Sequence, residues 1–91
     1  MNIKLVLNTN IHKMSNKPNS FQELLESISK TLKNKLPLNY DIKYQDYEGD
    51  MIIIQDEDDF QSAFDYYKEE KLPSMKLNIL PQQQPGSDIN G

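Results

Sequence analysis

The chain has no cysteine and no tryptophan, and all ten of its basic residues apart from the one histidine are lysine, so arginine is absent too. Without cysteine there is no disulfide, no thiolate metal site and no cysteine nucleophile. A single histidine, His12, leaves nucleophile–base constellations with little to work with. Three glycines do not make a phosphate-cradling loop. The longest uninterrupted apolar run is Met51-Ile52-Ile53-Ile54, far short of the roughly 20 residues that span a bilayer, and the opening residues lack the apolar core of a signal peptide. An acidic chain without arginine is a poor match for nucleic acid. The expectation is therefore a cytoplasmic domain with no catalytic residues, no cofactor, no metal, no nucleic-acid partner and no membrane partner.

What is there reads as one folded unit. Ninety-one residues hold a single core, and 36% hydrophobic with 26% charged residues is a globular balance rather than a disordered one. The net charge of −4 conceals an asymmetry: Met1 to Asn39 carry six lysines against two glutamates, whereas Tyr40 to Gly91 carry four lysines against twelve acids. Charge runs often do no more than solvate a face; the alternative is a dipolar domain whose two ends suit each other.

Period-two alternation opens the chain, with Ile3, Leu5 and Leu7 on one face and Lys4 and Val6 on the other. Asn8-Thr9-Asn10 is turn chemistry, and Ile11 to Met14 can return as a second strand. Ser20 and Glu23 have capping-box spacing, and Phe21, Leu24, Leu25, Ile28 and Leu32 form the apolar stripe of a helix that should end near Asn34, before Pro37. Ile42 and Tyr44 alternate in a third strand. Asp46 to Asp50 is a turn in which Gly49 is free to take positive φ, and Met51 to Ile54 form a fourth strand. Asp56 can cap a second helix that bears Phe60, Ala63, Phe64 and Tyr67. Met75, Leu77 and Ile79 alternate in a fifth strand. Residues 81–91 have little to bury and read as a disordered tail or linker; behind a domain at 1–80 this suggests an N-terminal module tethered to something larger. The order is β-β-α-β-β-α-β, an α+β domain in which a mixed five-stranded sheet packs against two helices, as in the ubiquitin-like β-grasp.

The acidic turn invites comparison with a calcium loop, but the comparison fails. With Gly49 at the sixth loop position, the first and twelfth fall on Tyr44 and Gln55, where acidic ligands are needed. What the stretch from Tyr44 to Ala63 does is return carboxylates repeatedly to one end of the domain. Like charges at ~4 Å repel by about 1 kcal/mol even in water-like dielectric, so such a cluster suits a cationic partner.

This stretch resembles the OPCA motif of the Phox-and-Bem (PB-one) domain family. Tyr44, Asp46, Glu48, Gly49, Asp50, the Ile52/Ile54 strand, Glu57 to Asp59, Phe60 and Ala63 match its pattern in register, while Tyr47 stands where an acid is usual. The resemblance covers Met1 to about Leu80 and implies the β-grasp fold. It further implies a protein–protein interaction module that associates front to back, for scaffolding or signalling. The acidic face would hold Asp46, Glu48, Asp50, Glu57, Asp58 and Asp59. The basic face would hold Lys4 on the first strand and the His12-Lys13 pair on the second. Its partner would be a protein with a complementary face of the same family, or a second copy of this chain, joined head to tail. If the basic face is too weak, the chain would act as an acidic-face-only cap for a basic partner. The alternative reading is a ubiquitin-like modifier conjugated through Gly91, although its last residues, Asp88-Ile89-Asn90-Gly91, lack the second terminal glycine.

Overall fold

The computed structural model describes residues 2–14 and 17–82. Strand β1 (Asn2–Leu7) and strand β2 (Asn10–Lys13) form an antiparallel hairpin. Asn8 makes the turn at φ +57, a left-handed conformation that Asn tolerates better than other side chains. The pairing continues past β2, where the Met14 N–H donates to the Ile3 carbonyl at 2.9 Å.

Helix α1 (Phe21–Leu32) starts where its sequence signals it. The Ser20 hydroxyl accepts the Glu23 N–H, and the Glu23 carboxylate reaches back to the Asn19 N–H. Leu24, Ile28 and Leu32 are buried, with Phe21 and Leu25 packed at the margin. The helix ends two residues before the expected Asn34. Lys33 turns to φ +54, and Lys33–Lys35 form one 3-10 turn. Leu36 precedes Pro37 and is extended, because a residue before proline is crowded out of the helical region, so no helix continues past it.

Strands β3 (Tyr40–Gln45) and β4 (Met51–Ile54), helix α2 (Glu57–Glu69) and strand β5 (Ser74–Pro81) complete the chain. The five strands lie in the order β2-β1-β5-β3-β4, with β1 and β5 parallel at the centre and the other pairs antiparallel. This is the expected mixed sheet of a ubiquitin-like β-grasp. β5 extends to Pro81, and the Gln82 N–H donates to the Asn39 carbonyl, so the folded unit reaches slightly beyond residue 80. The remainder of the expected tail, from residue 83, lies outside the described residues.

Both helices cover one face of the sheet. Ile3, Leu5, Leu7, Ile42, Tyr44, Ile54, Met75, Leu77 and Ile79 from the strands meet Leu24, Ile28, Leu32, Phe60, Ala63 and Tyr67 from the helices in a single cluster. Each large side chain buried there stabilises the fold by ~1.5–3 kcal/mol. Alternation sends Lys4, Val6, Lys43, Ile53 and Asn78 to the opposite face, where they remain partly exposed. Ile52 shares the inward register of Tyr44, yet stays exposed because β4 is an edge strand. Among the described residues, no helix is long and apolar enough to cross a membrane.

Candidate functional site

The β3–β4 turn is built around one aspartate. The Asp46 N–H donates to the Asp50 carbonyl at 3.0 Å, and its own carbonyl accepts the Gly49 N–H at 3.0 Å. Its Oδ1 also accepts the N–H groups of Glu48 and Asp50, at 3.0 and 2.9 Å. Gly49 lies at φ +89, which only glycine adopts without strain. The Gln45 side-chain amide closes the loop on the Gly49 carbonyl. With its backbone held this way, the turn gathers the carboxylates of Asp46, Glu48 and Asp50, so that one oxygen from each lies within 4.8 Å of the others. Asp46 is half-buried; Glu48 and Asp50 are exposed. Oxygens this close can face an ammonium or a cation, but Tyr44 and Gln55 still stand where a calcium loop needs acids.

Behind the turn stands a tyrosine cluster. The Tyr44 ring lies 5.7 Å from that of Tyr66 and 6.0 Å from that of Tyr67. Burial pushes the Tyr44 hydroxyl pKa up, and the charges of Asp46 and Asp59 push it the same way. Burial likewise raises that of Tyr66, helped by Glu70 and Asp46 and opposed by a hydrogen bond from the Tyr47 backbone. The Tyr44–Tyr66 ring contact joins β3 to α2 beside the turn. Asp46 bears on both tyrosines, Asp59 on Tyr44 and Glu70 on Tyr66.

The acids at the start of α2 do not all join that surface. Asp56 caps the helix by accepting the Asp59 N–H at 2.9 Å, and Asp59 reaches back to the Gln55 N–H at 2.9 Å. Asp58 is exposed. Glu57 is committed elsewhere: its two oxygens accept the Gln61 side-chain amide and the Phe21 N–H, each at 2.7 Å. It thereby ties the first turn of α2 to the first residue of α1. Those bonds, Gln61's first, hold its carboxyl below the usual carboxylate range.

At the far side of the sheet, Lys4 on β1 stands directly across from Lys13 on β2, and directly opposed residues share a face. The two ammoniums rise from the uncovered face of the sheet. His12 does not join them. It pairs with Leu5, whose side chain is fully buried, because neighbouring residues on a strand point to opposite faces. The His12 Nε2 is buried without a hydrogen-bond partner among the described residues. A lysine that the family resemblance does not assign to the basic face lies in the same row: Lys76 on β5 pairs in parallel with Lys4. Only the pairing of the first strand with the last brings it there, and no local pattern announces that pairing.

The lysine pair on β1 and β2 and the acidic β3–β4 turn stand toward opposite edges of the sheet. The family model for the PB1 domain matches residues 1–82, and the chain belongs to this family of protein-interaction modules. It is also similar to the solution structure of the PB1 domain of Cdc24p (long form), with 20% sequence identity and a TM-score of 0.70. That match covers 87% of this chain and 94% of the other, and it shows the shared fold. No curated protein matches the chain. Gly91, on which the modifier alternative rests, lies outside the described residues.

Proposed function

We propose that the domain associates front to back, the acidic turn of one molecule docking on the lysine face of another. The observation that carries this reading is the convergence of the Asp46, Glu48 and Asp50 carboxylates within 4.8 Å, on the same chain that pairs Lys4 with Lys13 across two strands. On this reading Asp58 and Asp59, in the first turn of α2, extend the acidic face. Glu57 contributes to the fold rather than to that face, since both of its oxygens are engaged. A head-to-tail contact is heterologous, so a chain bearing both surfaces can extend into a ring or an open filament. Interactions between exposed charges are screened beyond about 8 Å at physiological salt, and association weakens as ionic strength rises. Such a module serves scaffolding or signalling by joining the chains that carry it.

The test uses two variants, each lacking one surface. Asp50→Ala removes an exposed acid and spares Asp46, which shapes the turn; Lys4→Ala removes the first-strand ammonium. In sedimentation velocity at low salt, the wild-type mass rises with concentration, each variant alone stays monomeric, and an equimolar mixture forms a one-to-one complex. Two variants that remain unmixed under these conditions contradict front-to-back association. A wild type that stays monomeric yet binds a separate basic partner would instead identify an acidic-face cap.

A further inference from the structure

The sheet register extends the lysine face by a residue that neither sequence spacing nor the β1–β2 hairpin reveals. Lys4 is paired with Lys13 in the antiparallel direction and with Lys76 in the parallel direction. Lys13, Lys4 and Lys76 therefore form one row across β2, β1 and β5. Adjacent strands lie ~4.8 Å apart, so the three Cα atoms span roughly 10 Å. Paired residues share a face, and alternation fixes which one: Met75 and Leu77, on either side of Lys76, are fully buried on the helix-covered side. Lys76 thus rises with Lys4 on the uncovered side. Lys13 and Lys76 are exposed and Lys4 is half-buried between them. Three like charges in a row repel one another, and an incoming anionic group relieves all three contacts together.

We propose that Lys76 is a third binding residue of the basic face, and that the row Lys13-Lys4-Lys76 receives the Asp46, Glu48 and Asp50 carboxylates of a second copy of this chain. This inference rests on the front-to-back reading. Three carboxylates on one turn match three ammoniums in one row in number and in sign, and the converging oxygens, within 4.8 Å of one another, fall inside the width of that row. Lys76 stands on β5, the central strand of the sheet, so the docked turn lies across the sheet rather than along its β2 edge. Lys43, the other lysine of that face, belongs to a different row, with Asn78 and Ile53.

The test measures binding of the Lys4→Ala variant, which supplies the acidic turn, to the Asp50→Ala variant, which supplies the basic face, by isothermal titration calorimetry at low salt. Adding Lys76→Ala to the basic-face partner weakens binding about five- to thirtyfold, and Lys76→Arg restores most of it. Lys30→Ala, which removes the same charge from exposed α1, changes binding less than about twofold. Thermal melts confirm that each variant is folded. If Lys76→Ala binds like Lys30→Ala while the pair without it binds well, Lys76 is not part of the face and the inference fails, although front-to-back association stands. If the starting pair does not bind at all, the front-to-back reading falls and this inference falls with it.

Discussion

Glu57 illustrates how one residue's chemistry departs from its motif. Its position within Glu57-Asp58-Asp59 suggests an acid on display, yet one oxygen accepts the Phe21 N–H and the other the Gln61 amide. The Phe21 N–H is an unpaired donor of the first turn of α1, and an anion beside that N-terminus also complements the helix dipole. The lowered pKa of Glu57 gives its stabilisation a defined pH dependence. A carboxyl held below its unfolded value stabilises the fold above the ordinary carboxylate range and loses that contribution as pH falls through its folded pKa. Glu57→Ala should therefore melt at a lower temperature than wild type at neutral pH, with the gap narrowing below about pH 4. Circular-dichroism melts across pH check this, and a gap that is constant with pH would count against the ionic contact. The role was not legible in the sequence, because Phe21 and Glu57 meet only when the two helices pack side by side. Asp46 was legible: its turn partners lie within four residues. His12 marks the opposite failure. The resemblance implied a basic His12-Lys13 pair on the second strand, whereas strand alternation turns the two side chains to opposite faces.

At the scale of the element, both helices begin with the same device. Ser20 and Asp56 accept the N–H three residues on, and Glu23 and Asp59 reach back to the N–H just before the cap. These are local patterns, and the sequence announces both helix starts for that reason. The helix ends are less visible. After α2, the Lys71 N–H bonds the Lys68 carbonyl and the Leu72 N–H bonds the Tyr67 carbonyl, the paired bonds of a Schellman turn. Lys71 sits at φ +54 in the position where glycine is preferred, so no glycine marked the stop. Lys71→Gly relieves that conformation and should raise stability by about 0.5–1 kcal/mol, as measured by urea denaturation. An unchanged or lower midpoint would mean that the lysine is not strained there. Alternation made β1, β3 and β5 legible, the preceding turn made β2 legible and an apolar run made β4 legible; the parallel β1–β5 pairing that carries Lys76 to Lys4 was not.

Across the whole molecule, the charge asymmetry of the sequence becomes a spatial one. β1 and β2, with Lys4 and Lys13, occupy one side of the sheet, and the β3–β4 turn with its three acids occupies the other. The helices cover one face of the sheet, and the lysine row lies on the other. Membership of the PB1 family makes this domain an interaction module, and on the proposed front-to-back reading the two separated surfaces join copies in series. The most direct measurement of that claim is a nuclear magnetic resonance titration in which unlabelled Asp50→Ala protein is added to ¹⁵N-labelled Lys4→Ala protein at low salt. The account predicts amide shifts concentrated at residues 46–50 and the first turn of α2, reversed by added salt. Shifts confined to α1, or none at saturating concentration, would contradict it.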